Sequence, residues 1–471
     1  MKKISGHTAT AVILTGFALA ASAAEAAPAA QAAPAAPAPR TTSAARAPTQ
    51  TADPALAAAV KSISAANIRS DVEKLVSFGT RSTLSDQDPS SGHGIGAARE
   101  WLKSRFEAYS KDCGGCLEVK TDEFVQEPGG RIPQPTPLTN VYAVLKGSDP
   151  ANRIVLVTGH YDSRRTDVMD GTGDAPGAND DASGTAVSLE SARALSKLRL
   201  RATVIFLTVA GEEQGLDGAK HFAQMARQAG WNIEAALDDD IVGGDKSPGQ
   251  DAGSVRVFSE GIPVAADTKQ LQLVRSVGGE NDSSSRELAR YITEIGRTYS
   301  PGVQPMLVFR TDRYLRGGDH SAFNQQGYAA VRFTEYRENY NHQHQNVRTQ
   351  NGIEYGDLVK FVDFDYVARV ARLNALALGA LAAAPAPPAD VKIVTTNLDN
   401  DSTLKWQPSA GASGYEVLWR ATSAPTWEHA QSVGDTTSTT LQISKDNVVF
   451  AVRAVDKAGH KSLAIVPAPE R

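Results

Sequence analysis

Beyond residue 138 the apolar residues fall into short β-branched runs, each followed by a polar loop and then by a stretch with helical spacing. "NVYAVLKG", "RIVLVTG" and "ATVIFLTVA" predict strands, and "SGTAVSLESARALSKL" and "GAKHFAQMARQAG" predict helices. "IEAALDD" and "AAVRFTE" predict two further strands, and "VDFDYVARVARLNALALGALA" a closing helix. This alternation predicts an α/β fold with a mostly parallel (mixed) central sheet flanked by helices. Upstream, "NIRSDVEKLVSFG" and "GIGAAREWLKSRFEAYS" predict helices, the second with Ile95, Ala98, Trp101, Leu102 and Phe106 on one side. Residues 245–285 and 300–318 read as loops of a substrate pocket.

Composition changes at both ends. Lys2 and Lys3, an apolar stretch and Ala/Ser-rich residues read as a signal peptide over 1–26, which predicts an exported, periplasmic or extracellular protein. That apolar stretch is shorter than a membrane span, so no transmembrane segment is expected. An Ala/Pro linker over 27–54 cannot bury apolar surface and is expected to stay extended and mobile. A catalytic domain is expected over 55–383. After "APAPPAD", residues 384–471 carry short β runs around Trp406 and Tyr415, the spacing of a small all-β sandwich. That segment resembles a fibronectin type III domain, and it is the candidate for binding a surface or polymer.

At 471 residues the chain is long enough for two folded domains. Its net charge of −5 is mild and its basic residues are scattered, which argues against nucleic acid as a partner. The only cysteines, Cys113 and Cys116, are too few for a four-cysteine zinc site and point to a local disulfide.

In an open α/β sheet, ligands bind outside the carboxyl ends of the strands. Four consecutive segments place acids or imidazole there: His160-Tyr161-Asp162 after "RIVLVTG", Asp180-Asp181 in "PGANDDASG", Glu212-Glu213 in "AGEEQGLDGA", and Asp238-Asp239-Asp240. So much negative charge at one edge is unfavourable unless cations neutralise it. Imidazole mixed with carboxylates suits zinc, with manganese or cobalt as substitutes, and five or more ligands with one shared carboxylate would serve two ions. Asp162, two residues after His160 on an extended segment, lies where it can accept a hydrogen bond from the ring's other nitrogen. No Gly-x-Ser-x-Gly elbow occurs, which disfavours serine hydrolysis.

"GHYDS", "PGANDDASG", "AGEEQGLDGA" and "LDDDIVG", in this order, resemble the co-catalytic dizinc aminopeptidases of the bacterial leucyl aminopeptidase and aminopeptidase Y type, over about residues 65 to 380. The resemblance implies two Zn²⁺ per chain. His160 would bind one ion, Asp180 would bridge both, and Glu213 and Asp240 would each bind one. The Asp180–Asp181 peptide would be cis, and Glu212 would act as general base. The last ligand, in "ENYNHQHQNVRT", is His344 or His342, with Asn346 nearby where the family has an aspartate. His320 matches a motif whose histidine is not a ligand, and His221 is expected to be structural. The implied activity is release of N-terminal residues from peptides and proteins. Carboxypeptidase and cyclase chemistry on the same fold, and a non-catalytic binding protein, are the alternatives.

Overall fold

The computed structural model describes residues 50–149, 151–396 and 398–470. The expected signal peptide and the linker up to residue 49 lie outside them. The last residues of the expected linker are packed rather than free. Gln50 is buried, and the Asp53 amide donates to the Tyr299 hydroxyl at 2.8 Å. Asp53 also caps α1 (Pro54–Val60), with proline at the first helical position where its missing N–H costs nothing. The helices α2 (Ala65–Val76) and α3 (Gly94–Asp112) follow, and Cys113 and Cys116 form a disulfide just beyond α3.

The central sheet has eight strands: β1 (Leu117–Gln126), β2 (Thr136–Leu145), β3 (Arg153–His160), β4 (Thr203–Val209), β5 (Asn232–Asp239), β6 (Ser254–Ser259), β7 (Gln304–Val308) and β8 (Ala330–Glu335). Their order is β1-β2-β4-β3-β5-β8-β6-β7. The four middle strands, β4, β3, β5 and β8, are mutually parallel, and β2 and β6 flank them antiparallel. β3 is buried along its whole length, as a central parallel strand must be. The chain leaves β3 for β4 on one side and β5 on the other. The carboxyl end of β3 is therefore a switch point, where such sheets open a crevice.

Among the described residues seven more α-helices follow: α4 (Ala182–Leu195), α5 (Glu212–Gly215), α6 (Asp217–Gln228), α7 (Thr268–Val277), α8 (Ser284–Tyr299), α9 (His320–Gln325) and the long α10 (Phe364–Ala383). α10 is long and apolar enough to cross a membrane by composition, yet here it is a buried core helix. α4 packs unusually close to the sheet. A Cβ on Gly159 of β3 would lie 2.4 Å from the Gly184 backbone, so only glycine lets the start of α4 meet the end of β3. Residues 245–285 and 300–318, expected to be loops, contain β6, α7 and β7. β1 also went unread, because as an edge strand it carries polar residues at most positions.

A short ribbon, β9 (Arg348–Gln350) and β10 (Ile353–Tyr355), follows β8. After α10 come β11 (Ala389–Val394), β12 (Ser402–Gln407), β13 (Gly414–Ala421), β14 (His429–Gly434), β15 (Ser438–Leu441), β16 (Val448–Val455) and β17 (Ala468–Glu470). They form two sheets, β15-β12-β11-β17 and β14-β13-β16, around Leu404, Trp406, Tyr415, Val417, Phe450 and Val452. This all-β part is docked, not dangling. Leu463 joins the main α/β core, and α8, an amphipathic helix, is buried from Ser285 to Gly296 because the β13 and β16 region covers its polar side. There Glu294 meets Arg453 at 2.7 Å, Glu287 accepts from the Trp427 indole at 2.9 Å, and Arg420 pairs with Asp282.

Candidate metal centre

The segments named from the sequence converge at the carboxyl ends of β3, β4, β5 and β8. His160 ends β3. Its amide donates to Asp181 at 3.1 Å, and its carbonyl accepts from Thr185 Oγ1 at 2.9 Å, which ties the strand to the start of α4. The Asp180–Asp181 peptide is cis. Asp181 faces inward as the cap of α4 and accepts from the Gly184 amide at 2.9 Å. Asp180 faces the cleft, where its Oδ1 lies 3.1 Å from His160 Nε2 and its Oδ2 lies 2.8 Å from His344 Nε2.

Two overlapping groups result. His160, Asp180 and Asp240 have ligand atoms within 4.8 Å of one another, and so do Asp180, Glu213 and His344. Asp180 is common to both. Glu213 Oε1 lies 3.1 Å from His344 Nε2, and Asp240 Oδ1 lies 3.9 Å from His160 Nε2. Among the described residues, His160 Nε2, Glu213 Oε1 and Asp240 Oδ1 are buried and have no hydrogen-bond partner. Their lone pairs converge on shared points instead of aligning on N–H donors. This donor set of imidazole and carboxylate oxygen fits two divalent ions of the zinc class.

Electrostatics agree with that fit. Burial pushes Asp240 up to about 6, against the pull of Arg332, with Asp180 adding repulsion. Burial also raises Glu212 well above the ordinary range; His160 opposes the shift, and Glu213, Asp240 and Asp180 reinforce it. Asp180 is lowered despite its burial, because His344 and His160 flank it. Neighbouring carboxyls that resist ionising together are relieved by a bound cation.

Asp162 has a broader part than expected. His160 Nδ1 is 3.1 Å from the Asp162 carbonyl oxygen and 3.5 Å from its carboxylate. The carboxylate accepts the amides of Glu212 and Glu213 at 3.2 Å each and the Thr83 hydroxyl at 3.1 Å. Asp162 therefore positions the turn that carries both glutamates, and the imidazole beside it. In that turn Glu213 joins the second group, while Glu212 lines the cleft outside both groups. The Asp238-Asp239-Asp240 run separates by alternation. Asp239 accepts from Asn374 of α10 at 2.8 Å, Asp238 binds His320 at 3.2 Å, and Asp240 turns into the site.

Of the two candidates for the last histidine, the structure brings His344 to the site and His342 elsewhere. His342 pairs with Asp245 and stacks on Phe361 with ring centroids 3.6 Å apart. Asn346 holds the 165–166 turn by accepting from Arg165 Nε at 2.8 Å. His221 lies on Asp122 and Phe124, away from the site.

Several contributors had no sequence signal. Asp357 accepts the amides of Asn179 and Asp180 at 2.7–2.9 Å, and Gln343 donates to Asp180 Oδ2 at 3.2 Å. The fully buried Arg332 pairs with Asp240 at 3.0 Å and Asp312 at 3.2 Å, and Arg81 holds the carbonyls of Pro176 and Gly177 at 2.7 and 2.8 Å. Asp357, Arg332 and Arg81 lie outside the motifs and act on the ligands through backbone groups or charge, whereas Gln343 sits between the two candidate histidines and acts through its side-chain amide. Residues 313–317 line the cleft, whereas none of 245–285 does.

The architecture is thus a candidate two-cation centre at the switch point of an α/β sheet. Residues 140–363 match the model of Peptidase family M28. The chain is 48% identical over 417 residues, 88% of its length and 96% of the relative's, to a probable zinc metalloprotease of Leptosphaeria maculans. A probable zinc metalloprotease of Pyricularia oryzae is 48% identical over 435 residues, 89% and 86% of the two chains. The chain belongs to peptidase family M28. Among solved structures, the LapA aminopeptidase of Legionella pneumophila shares its fold, with a TM-score of 0.50 and 21% identity over 70% of this chain and 74% of that one.

Proposed function

We propose that the protein is an exported dizinc aminopeptidase that removes N-terminal residues from peptides and proteins. One observation carries the reading: Asp180 is shared by two ligand groups while Glu212 stands beside them, uncommitted to either. The names of the fungal relatives support zinc. His160, Asp180 and Asp240 would hold one ion, and Asp180, Glu213 and His344 the other. Two such ions would polarise the scissile carbonyl and acidify a water for attack.

Glu212 takes the proton from the attacking water and returns it to the leaving amine, a step worth about 10²–10⁴-fold. Asp162, through the two amides it accepts, keeps Glu212 facing the cleft and Glu213 facing its ligand group. A free α-amino group would be received beside the ligand groups, where an ion of the pair would accept its lone pair. Acetylation would deprive that amine of its basic lone pair, so a blocked substrate is expected to be a poor one.

Export rests on the lysines and apolar stretch of residues 1–26. The β11–β17 sandwich is the proposed fibronectin type III-like part, placed to hold a surface or polymer near the catalytic body. Free aminoacyl anilides against their N-acetylated forms test the function. Cleavage of the free amine alone is expected, and comparable cleavage of blocked peptides would favour the carboxypeptidase alternative.

A further inference from the structure

Four arginines reach the 860 Å³ cleft above the candidate ions: Arg131, Arg164, Arg313 and Arg316. Two of them are paired with carboxylates, which they share with Arg256 and Arg332. Arg313 lies 2.9 Å from Asp312 and 2.7 Å from Glu338, and Arg316 lies 3.2 Å from Glu338. The other two are held in a different way. Arg131 sits in a tight turn closed by reciprocal backbone bonds between Gly129 and Ile132, 2.9 Å each, and its Nη1 donates to the Glu213 carbonyl at 2.7 Å. Arg164 donates Nε and Nη2 to the carbonyls of Arg165 and Thr166, both at 3.1 Å, which leaves Nη1 3.9 Å from the Glu213 carboxylate.

A carbonyl fixes a guanidinium without cancelling its charge. Among the described residues, Arg131 has no carboxylate at ion-pair distance, and the acid nearest Arg164 is Glu213, already committed to the second ligand group. Arg131 donates to the Glu213 carbonyl and Arg164 comes within 3.9 Å of its carboxylate, so both stand beside Glu213 along the cleft. Two pinned cations in a partly enclosed cleft repel each other and draw an anion into it. Arginine's planar fork matches a carboxylate with two parallel hydrogen bonds.

We propose that Arg131 and Arg164 form a carboxylate-binding subsite beside the metal centre, and that the preferred substrates are peptides carrying a carboxylate close to the scissile bond. That group is either the C-terminal carboxylate of a di- or tripeptide or an acidic side chain. The inference rests on the aminopeptidase reading. It separates this site from one that takes long chains without regard to charge.

The test compares Leu-Gly with Leu-Gly-amide, and Leu-Glu-amide with Leu-Gln-amide, on the zinc-loaded full chain, with leucine anilide and N-acetyl-Leu-Gly as controls. The acid of at least one pair is expected to exceed its neutral partner in kcat/KM by roughly tenfold to a hundredfold, mainly through KM. The first pair reports a terminal carboxylate and the second a side chain. Equilibrium binding of the same pairs to the Glu212→Gln protein should show the same preference without turnover. Arg131→Gln and Arg164→Gln should each shrink the acid-to-amide ratio, and Arg164→Lys should retain part of it. Equal binding and equal kcat/KM of acid and amide in the unmodified protein would overturn the subsite, while cleavage of the anilide would leave the aminopeptidase reading standing. Cleavage of N-acetyl-Leu-Gly with none of the free-amine substrates would instead overturn the underlying reading, and this proposal with it.

Discussion

Two clusters of buried charge in this molecule are built from the same residue types and end in opposite balance. At the interface between α8 and the β13–β16 sheet, Asp282, Glu287, Glu294 and Glu416 face Arg290, Arg420, Arg453 and Lys461, and each acid has a cationic partner. At the carboxyl ends of β3, β4 and β5, Asp180, Glu212, Glu213 and Asp240 crowd together with fewer cations around them: Arg332 pairs with Asp240 at 3.0 Å, and Arg164 stays at the margin, 3.9 Å from Glu213. The interface is balanced acid against base, although Glu294 Oε1, Arg420 Nε and Arg453 Nη2 have no hydrogen-bond partner among the described residues. The sheet edge is not, and its unpartnered lone pairs are aimed at common points. Charge balance, more than the presence of buried carboxylates, distinguishes a structural network from one that awaits a ligand.

The sharpest contrast should come from removing the cations. Elemental analysis after mild dialysis should find two zinc ions per chain, and a chelator should abolish hydrolysis while the sandwich interface stays folded. One ion or none, with activity indifferent to chelation, would dissolve the distinction. Next in size, Glu212→Gln should keep its metal and lose about 10²–10⁴-fold in kcat, whereas Glu213→Gln should lose metal. The opposite pattern in a metal-content assay would exchange the two roles.

His344→Ala should release metal more readily than His342→Ala, because His344 lies within 3.1 Å of both Asp180 and Glu213 and His342 is spent on Asp245. Equal retention by the two variants would break the second ligand group. In the balanced cluster, Arg453→Met strands the buried Glu294, while Glu416 keeps Lys461 at 3.0 Å, and should cost about 3–5 kcal/mol of stability. Urea unfolding reads that directly, and a loss near zero would show the interface to be loosely hydrated.

The smallest effect concerns acid. Burial raises Glu416, but Arg453 and Lys461 outweigh it and hold the carboxyl below its ordinary value of 4.5. A carboxyl lowered on folding stabilises fully above the unfolded value and loses that contribution as pH falls through the folded one. Glu416→Gln should therefore flatten the decline in stability below the ordinary carboxyl range, by about 1–2 °C in melting temperature. An unchanged acid limb would mean that other groups govern it.

The parts of this arrangement that could be read from sequence were those with a local signature. β3 and β4 announce themselves because strands buried on both faces are continuous apolar runs, and the ligand motifs follow directly at their ends. Asp357, Gln343 and Arg332 do not, since their effect on Asp180 and Asp240 exists only once β8 and the segment after it fold back across the cleft. The docking of the sandwich was hidden for a similar reason. α8 has the polar stripe of a solvent-facing helix, and nothing within 284–299 reveals that Arg453 and Trp427, more than a hundred residues later, cover it.

The late position of His344 and Asp357 has a consequence for how the protein comes to exist. Synthesis proceeds from the amino end, and by residue 335 all eight strands of the main sheet and the group His160, Asp180, Asp240 have been made. The second group lacks its imidazole until residue 344, and the carboxylate that clamps the Asp180 backbone arrives at 357. A nascent or prematurely ended chain therefore cannot assemble the paired centre. Completion of the second group thus falls after the whole main sheet has been made, with α10 and the strands of the sandwich still to follow.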